Sequence, residues 1–311
     1  MTATRPKRFD RHVDGILLLD KPQAVSSNAA LQKVRALFRA IKAGHAGSLD
    51  PLATGMLPIC FGQATKVCGY LLNSSKTYRV IAQLGIKTDS GDADGVIIEE
   101  CPIPTLSKLQ VEQGLHSFLG PQKQVPPMYS ALKHEGQRLY ELARRGQTIQ
   151  REARDIVIEQ ISLLRLDPAQ IEFEVRCSKG TYVRSLVEDI AARLGTLAHV
   201  TLLRRLQVDP FDSARMLSLE QLAAMTIDER DDLLQPAETA LVSIPRLTLD
   251  ALQQVQLFHG KVLCGFSGLP SGLWRAYGPL DLFLGLVRSD GQGQVRAERL
   301  FVVGASEVIV A

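Results

Sequence analysis

Between His45 and Gly55 the chain reads HAGSLDPLATG, which sets one carboxylate, Asp50, in a turn bounded by Gly47, Pro51 and Gly55. Glycine permits backbone angles that other residues avoid and proline freezes its own, so the loop specifies a shape. An acid held in this way can serve as a nucleophile or in proton transfer. An ordinary Asp-Pro turn has the same spelling. Tyr78 opens an alternating apolar run, where it reads as a core aromatic as readily as a site residue. After a second such run comes Ser178-Lys179-Gly180-Thr181-Tyr182-Val183-Arg184, in which Tyr182 and Arg184 share one face if the segment is extended. An arginine with apolar neighbours needs an anionic partner, and a buried aspartate supplies one. Pairing of that kind would keep Asp50 ionised near neutral pH.

Other motifs fail on inspection. The string SGDADG at 90–95 begins like a calcium loop, but its twelfth position is Cys101 rather than Glu, which leaves a polar turn. Ser130-Ala131-Leu132-Lys133 spells S-x-x-K without the K-T-G partner of penicillin-interacting enzymes, since 179–181 runs Lys-Gly-Thr. No Walker loop and no G-x-G-x-x-G occurs, so nothing points to nucleotide hydrolysis or a dinucleotide. The six histidines lack ligand spacing. The five cysteines are scattered without a CxxC pair and read as buried, reduced thiols rather than zinc ligands.

These residues need elements to place them. Residues 15–20 form a short apolar run ended by Lys21-Pro22, a buried strand. Ser26-Ser27-Asn28 offers helix caps ahead of Leu31, Val34, Leu37 and Phe38, spaced for one helical face, with Lys33, Arg35 and Arg39 off it. Residues 77–84 alternate as a strand with Tyr78, Val80, Ala82 and Leu84 on one side. Val111, Leu115, Phe118 and Leu119 mark a helix closed by Gly120. Residues 122–154, rich in Lys, Arg and Gln, read as an exposed insertion with a short helix over 137–145. Strands are expected over 156–166, 171–177 and 199–208, with a helix between Arg184 and Gly195. Mixed strands and helices without regular alternation predict an α+β fold built on a largely antiparallel sheet. An acidic stretch over 228–245 reads as a linker, and residues 246–311, dense in Gly and apolar residues, as a small β-rich, barrel-like module.

The bulk numbers agree with a large core. The chain has 311 residues, 45% hydrophobic and 22% charged, enough for two domains. No run approaches the roughly 18 apolar residues of a membrane span. The N-terminus carries Arg5, Lys7, Arg8 and Arg11 without an apolar signal core, so a cytoplasmic protein is expected. Net charge is only +3, yet basic residues cluster in 1–50 and 176–205 and acidic ones in 228–238, as a phosphate-rich partner would favour.

Five segments taken together carry a resemblance: GHAGSLDPLATGMLPICFG at 44–62, KTYRV at 76–80, PPMYSALK at 126–133, CSKGTYVRSL at 177–186 and LLRRL at 202–206. In this order they resemble the TruB family of bacterial tRNA pseudouridine synthases, from about residue 15 to 222. The resemblance implies the pseudouridine synthase fold over 1–245, with 122–154 as a thumb-like insertion, and a PUA-like RNA-binding module over 246–311. It implies an isomerase without metal or cofactor, which cuts the T-loop uridine (position 55) from its ribose at N1, turns it and rejoins it through C5. Asp50 matches the family's essential aspartate, Arg184 its ion-pair partner and Tyr78 the aromatic that stacks on the base. His45, Tyr182 and Leu203 match positions lining the substrate site. The implied partner is the T arm of tRNA, met by a monomer needing no membrane and no other protein. A tRNA-binding or RNA-folding protein on the same fold, without catalysis, is the alternative.

Overall fold

The structure, a computed structural model, describes residues 9–301; the basic residues Arg5, Lys7 and Arg8 and the last ten residues of the 246–311 module lie outside them. Its centre is an eight-stranded sheet. In chain order the strands are β1 (Gly15–Lys21), β2 (Ala43–His45), β3 (Thr54–Phe61), β4 (Lys76–Leu84), β5 (Gly120–Gln124), β6 (Arg154–Asp167), β7 (Gln170–Cys177) and β8 (Ala198–Val208). They lie in the order β1-β3-β8-β4-β7-β6-β5, with β2 also paired to β3. Pairing is antiparallel except between β8 and β3, which run parallel at Arg204–Thr54 and Arg205–Gly55.

Period-2 patterning explains the inner strands. Tyr78, Val80, Ala82 and Leu84 of β4 and Ile171, Phe173, Val175 and Cys177 of β7 are buried on the sheet face expected from the sequence. The helices Val183–Arg193 and Lys108–His116 cover them with Val183, Leu186, Val187, Ile190, Val111 and Leu115. The helix Ser27–Leu37, capped by the Ser26 hydroxyl, buries Leu31 and Val34 with Phe38 against Leu17, Leu19, Leu57 and Ile59. A second, five-stranded sheet spans Arg246 to Leu300 with its own core of Leu249, Leu257, Leu284 and Val287. Its Leu286 joins Ile16, Leu18 and Met56 in one cluster, which ties the two sheets together.

Three readings need correction. Residues 228–245 are folded rather than a linker: Arg230 is buried and donates to the carbonyls of Leu37, Leu222 and Met225. Val183 opens a helix with Tyr182 at its N-cap, so Arg184 stands in a first helical turn rather than on an extended segment. The Tyr182 side chain makes no capping bond, which is why the boundary carries no sequence signal. Among the cysteines, Cys60 and Cys177 are buried but Cys264 is exposed.

One glycine fixes the end of the Asp50 loop. Gly55 has φ of 97°, and a Cβ there would collide with the Arg205 carbonyl oxygen of the neighbouring strand. Gly55→Ala is expected to lower the unfolding free energy by about 2 kcal/mol or more, measured by denaturant titration. A change within about 0.5 kcal/mol would contradict the close approach of β3 and β8.

Candidate active site

The loop 46–53 leaves the sheet where β3 passes from one neighbour, β2, to another, β8. It is tied down along its length. The Ala46 N–H donates to the Pro58 carbonyl at 2.9 Å, and the buried Ser27 hydroxyl both accepts from the Leu49 N–H (2.7 Å) and donates to the Leu49 carbonyl (2.9 Å). The Ala24 N–H donates to the Pro51 carbonyl at 2.8 Å. Beneath the loop Lys21, fully buried at the end of β1, donates to the carbonyls of Pro22 (2.9 Å) and Val25 (2.6 Å). Glycines at both ends, with φ of 95° at Gly47 and 97° at Gly55, let the chain turn twice within nine residues.

Asp50 is thereby presented to Arg184. The Asp50 Oδ2 lies 2.9 Å from Arg184 Nη2, with 44% of the Asp50 side chain accessible but only 5% of Arg184. Arg184 also donates to the carbonyls of Ser90 and Tyr129, both at 2.6 Å, and its Nε stands 3.5 Å from Asp92 Oδ2. Asp92 is buried and accepts from the Ser90 hydroxyl at 2.6 Å. The segment read as a polar turn therefore supplies a second carboxylate to the same guanidinium. Burial raises the Asp50 carboxyl above its ordinary range; Arg184 opposes this, and Asp92 adds to it. Arg184 therefore does not act alone on Asp50: burial and a second carboxylate on the same cation work against it. A carboxylate with raised proton affinity is better suited to attack or proton transfer.

That cavity, of about 340 Å³, brings together Asp50, Tyr78, Tyr182, Arg184 and Leu203. Tyr78 and Leu203 are buried residues in its lining. Tyr182 is held at its backbone by Gln124, whose side chain accepts from the Tyr182 N–H (2.7 Å) and donates to its carbonyl (3.0 Å). Burial raises both tyrosine hydroxyls, keeping them protonated. Ser130, Lys179 and two cations that the sequence reading passed over, Lys76 and Arg205, complete the walls. Lys76 is buried on the carbonyls that end the helix Cys68–Asn73, and burial pushes it down to about 8. His45 is not part of this lining. It sits half-buried on β2, its Nδ1 without a hydrogen-bond partner, and burial with Arg205 nearby lowers its pKa and favours the neutral ring.

The site can therefore hold a flat ring against Tyr78 and Leu203 with a carboxylate and cations in its walls. Residues 35–183 match the model of the TruB family pseudouridylate synthase N-terminal domain, and 184–242 that of the tRNA pseudouridylate synthase B C-terminal domain. A tRNA pseudouridine synthase B of Pectobacterium atrosepticum is 46% identical over 96% of this chain and 98% of its own. That of Methylobacillus flagellatus is 47% identical over 94% and 97%. A Cbf5 complex with Nop10 and Gar1 superposes on 94% of this chain and 86% of its own with a TM-score of 0.73, at 23% identity, a likeness of fold.

Lys21 yields a test of how tightly the loop is packed. Burial pushes its ammonium down to about 8 from an ordinary 10.5. The folded protein then loses this proton before the unfolded chain does, so stability rises with pH between those values. In Lys21→Met the unfolding free energy should climb less steeply across that window than in wild type. Parallel curves would show that Lys21 titrates normally and lies in water.

Proposed function

We propose that this chain, which belongs to the TruB family of pseudouridylate synthases, isomerises the T-loop uridine (position 55) of tRNA to pseudouridine, with Asp50 as its reacting group. The observation that carries the assignment of Asp50 is a half-open carboxylate paired with a buried guanidinium in the lining of a cavity shared with Tyr78 and Tyr182. The uridine must leave its stack to expose the glycosidic bond, and Tyr78 receives the flipped base against its ring. Stacking of this kind is worth about 1–3 kcal/mol per base. Tyr182 and Leu203 close the other sides.

In the isomerisation the N1–C1′ bond breaks, the uracil turns, and a C5–C1′ bond forms. The C5 proton is lost and N1 gains one, so no electrons enter or leave overall. A carboxylate at this position can attack C1′, attack the base, or take a sugar proton. In each case Arg184 holds it in place and balances its charge. Tyr78 is assigned to pass a proton at the base, and His45 to the backbone of the extruded nucleotide. The insertion over 122–154 closes on the RNA as a thumb, its Tyr129 carbonyl already on Arg184. The part beginning at residue 246 adds RNA-binding surface as a PUA-like module. The enzyme acts as a cytoplasmic monomer without guide RNA or partner protein; no described helix is long and apolar enough to cross a membrane.

The purified chain is expected to release the C5 hydrogen of uridine from naked T-arm RNA without any addition. Asp50→Asn should abolish release yet fold and bind, because Asp92 still answers the buried Arg184 charge. Full affinity with no release by the wild type would leave only the RNA-binding alternative.

A further inference from the structure

We infer that Arg205 is a positioning residue of the isomerisation, which fastens both ends of the Asp50 loop beside Tyr78. This rests on the roles given above to Asp50 and Tyr78. Arg205 is among the largest fully buried side chains of the described residues. Its Nε donates to the Met56 carbonyl at 2.7 Å, just past the end of the loop, and its Nη2 donates to the Gly47 carbonyl at 3.0 Å, near the start. Its main chain pairs with Gly55 on β3, whose hydrogen in place of a side chain allows the approach. On its other side Arg205 stands directly opposite Tyr78 in the β8–β4 ladder, both facing the cavity. One residue thus touches the two ends of the catalytic loop and the strand that carries the stacking aromatic.

The chemistry of the side chain argues for a functional constraint. Burying a guanidinium is costly unless a carboxylate meets it, and among the described residues none lies within ion-pair distance of Arg205. Lys21, Lys76, His45 and Tyr78 all feel its charge, and none of them is an anion that offsets it. A core apolar residue would fill β8 at less cost, but could not hold two carbonyls in a planar fork. The hydrogen bonds from Arg205 end on Gly47 in the loop and on Met56 in the strand that follows it, so its cost is matched by fixing where Asp50 stands relative to the base.

Two measurements test this, on Arg205→Met and Arg205→Lys beside wild type. In the RNA-free protein, amide hydrogen exchange over residues 47–54 should quicken by about tenfold or more in Arg205→Met while β7 stays protected. With T-arm RNA at saturation, the rate of C5-hydrogen release should fall about a hundredfold with affinity within about threefold of wild type, and Arg205→Lys should recover about tenfold of it. Unchanged exchange in the loop overturns the inference whatever the activity. So does a rate within about threefold of wild type, or a loss confined to affinity, which would make Arg205 an RNA contact only. If Arg205→Met does not fold, Arg205→Lys carries both measurements, and wild-type values for it overturn the inference. A wild-type protein inactive on T-arm RNA defeats the proposed function instead, and loop exchange still decides the role of Arg205.

Discussion

Arg184 is a guanidinium almost wholly withdrawn from water, so it must be met by oxygen on every side. Two carboxylates and two backbone carbonyls do this, and they come from three separate stretches of chain, around residues 50, 90–92 and 129. The partners differ in one respect that sets the chemistry. Asp92 is buried and hydrogen-bonded, whereas Asp50 keeps an open face. The first anchors the cation; the second is accessible to a substrate, as its proposed role requires. Without Asp92 and the carbonyls, Asp50 alone would have to neutralise Arg184 and would be held less reactive by the pairing.

The fold can be understood as the support this arrangement needs. The sheet places β3, β8 and β4 side by side, so that the Asp50 loop, Leu203, Arg205 and Tyr78 converge from three strands. The helix Val183–Arg193 packs its apolar side on β4 and β7 and delivers Arg184 from its first turn to the edge of that surface. Rigid elements thus carry the groups proposed to react, and the loop that bears Asp50 is itself fastened at Ala46, Gly47, Leu49 and Pro51. Such over-determination matches a site that must hold a group within a fraction of an ångström.

Much of this was legible in the sequence. Strands β4 and β7 announce themselves by alternation, and the Asp50 loop by its glycines and proline. The pairing of Asp50 with Arg184 followed from one charge stranded among apolar neighbours. What escaped were polar residues buried by parts of the chain distant in sequence. Asp92 in a Ser-Gly-Asp turn and Lys21 before a proline spell ordinary solvated positions, and only tertiary contact reveals their burial. Arg205 left a faint signal, since it follows Leu203 by two residues in a strand and so shares its inward face. The opposing influences on Asp50 were hidden for the same reason: a sequence shows the arginine, but neither the burial of the carboxylate nor the second acid.

The ion pair itself is tested most directly by the rate of C5-hydrogen release in Arg184→Lys at saturating T-arm RNA. An ammonium keeps the positive charge but cannot span Asp50, Asp92 and two carbonyls with a planar fork. The rate is predicted to fall by about a hundredfold or more while the protein remains folded and binds RNA. Turnover within about threefold of wild type would contradict the claim that the guanidinium holds the reacting carboxylate in place.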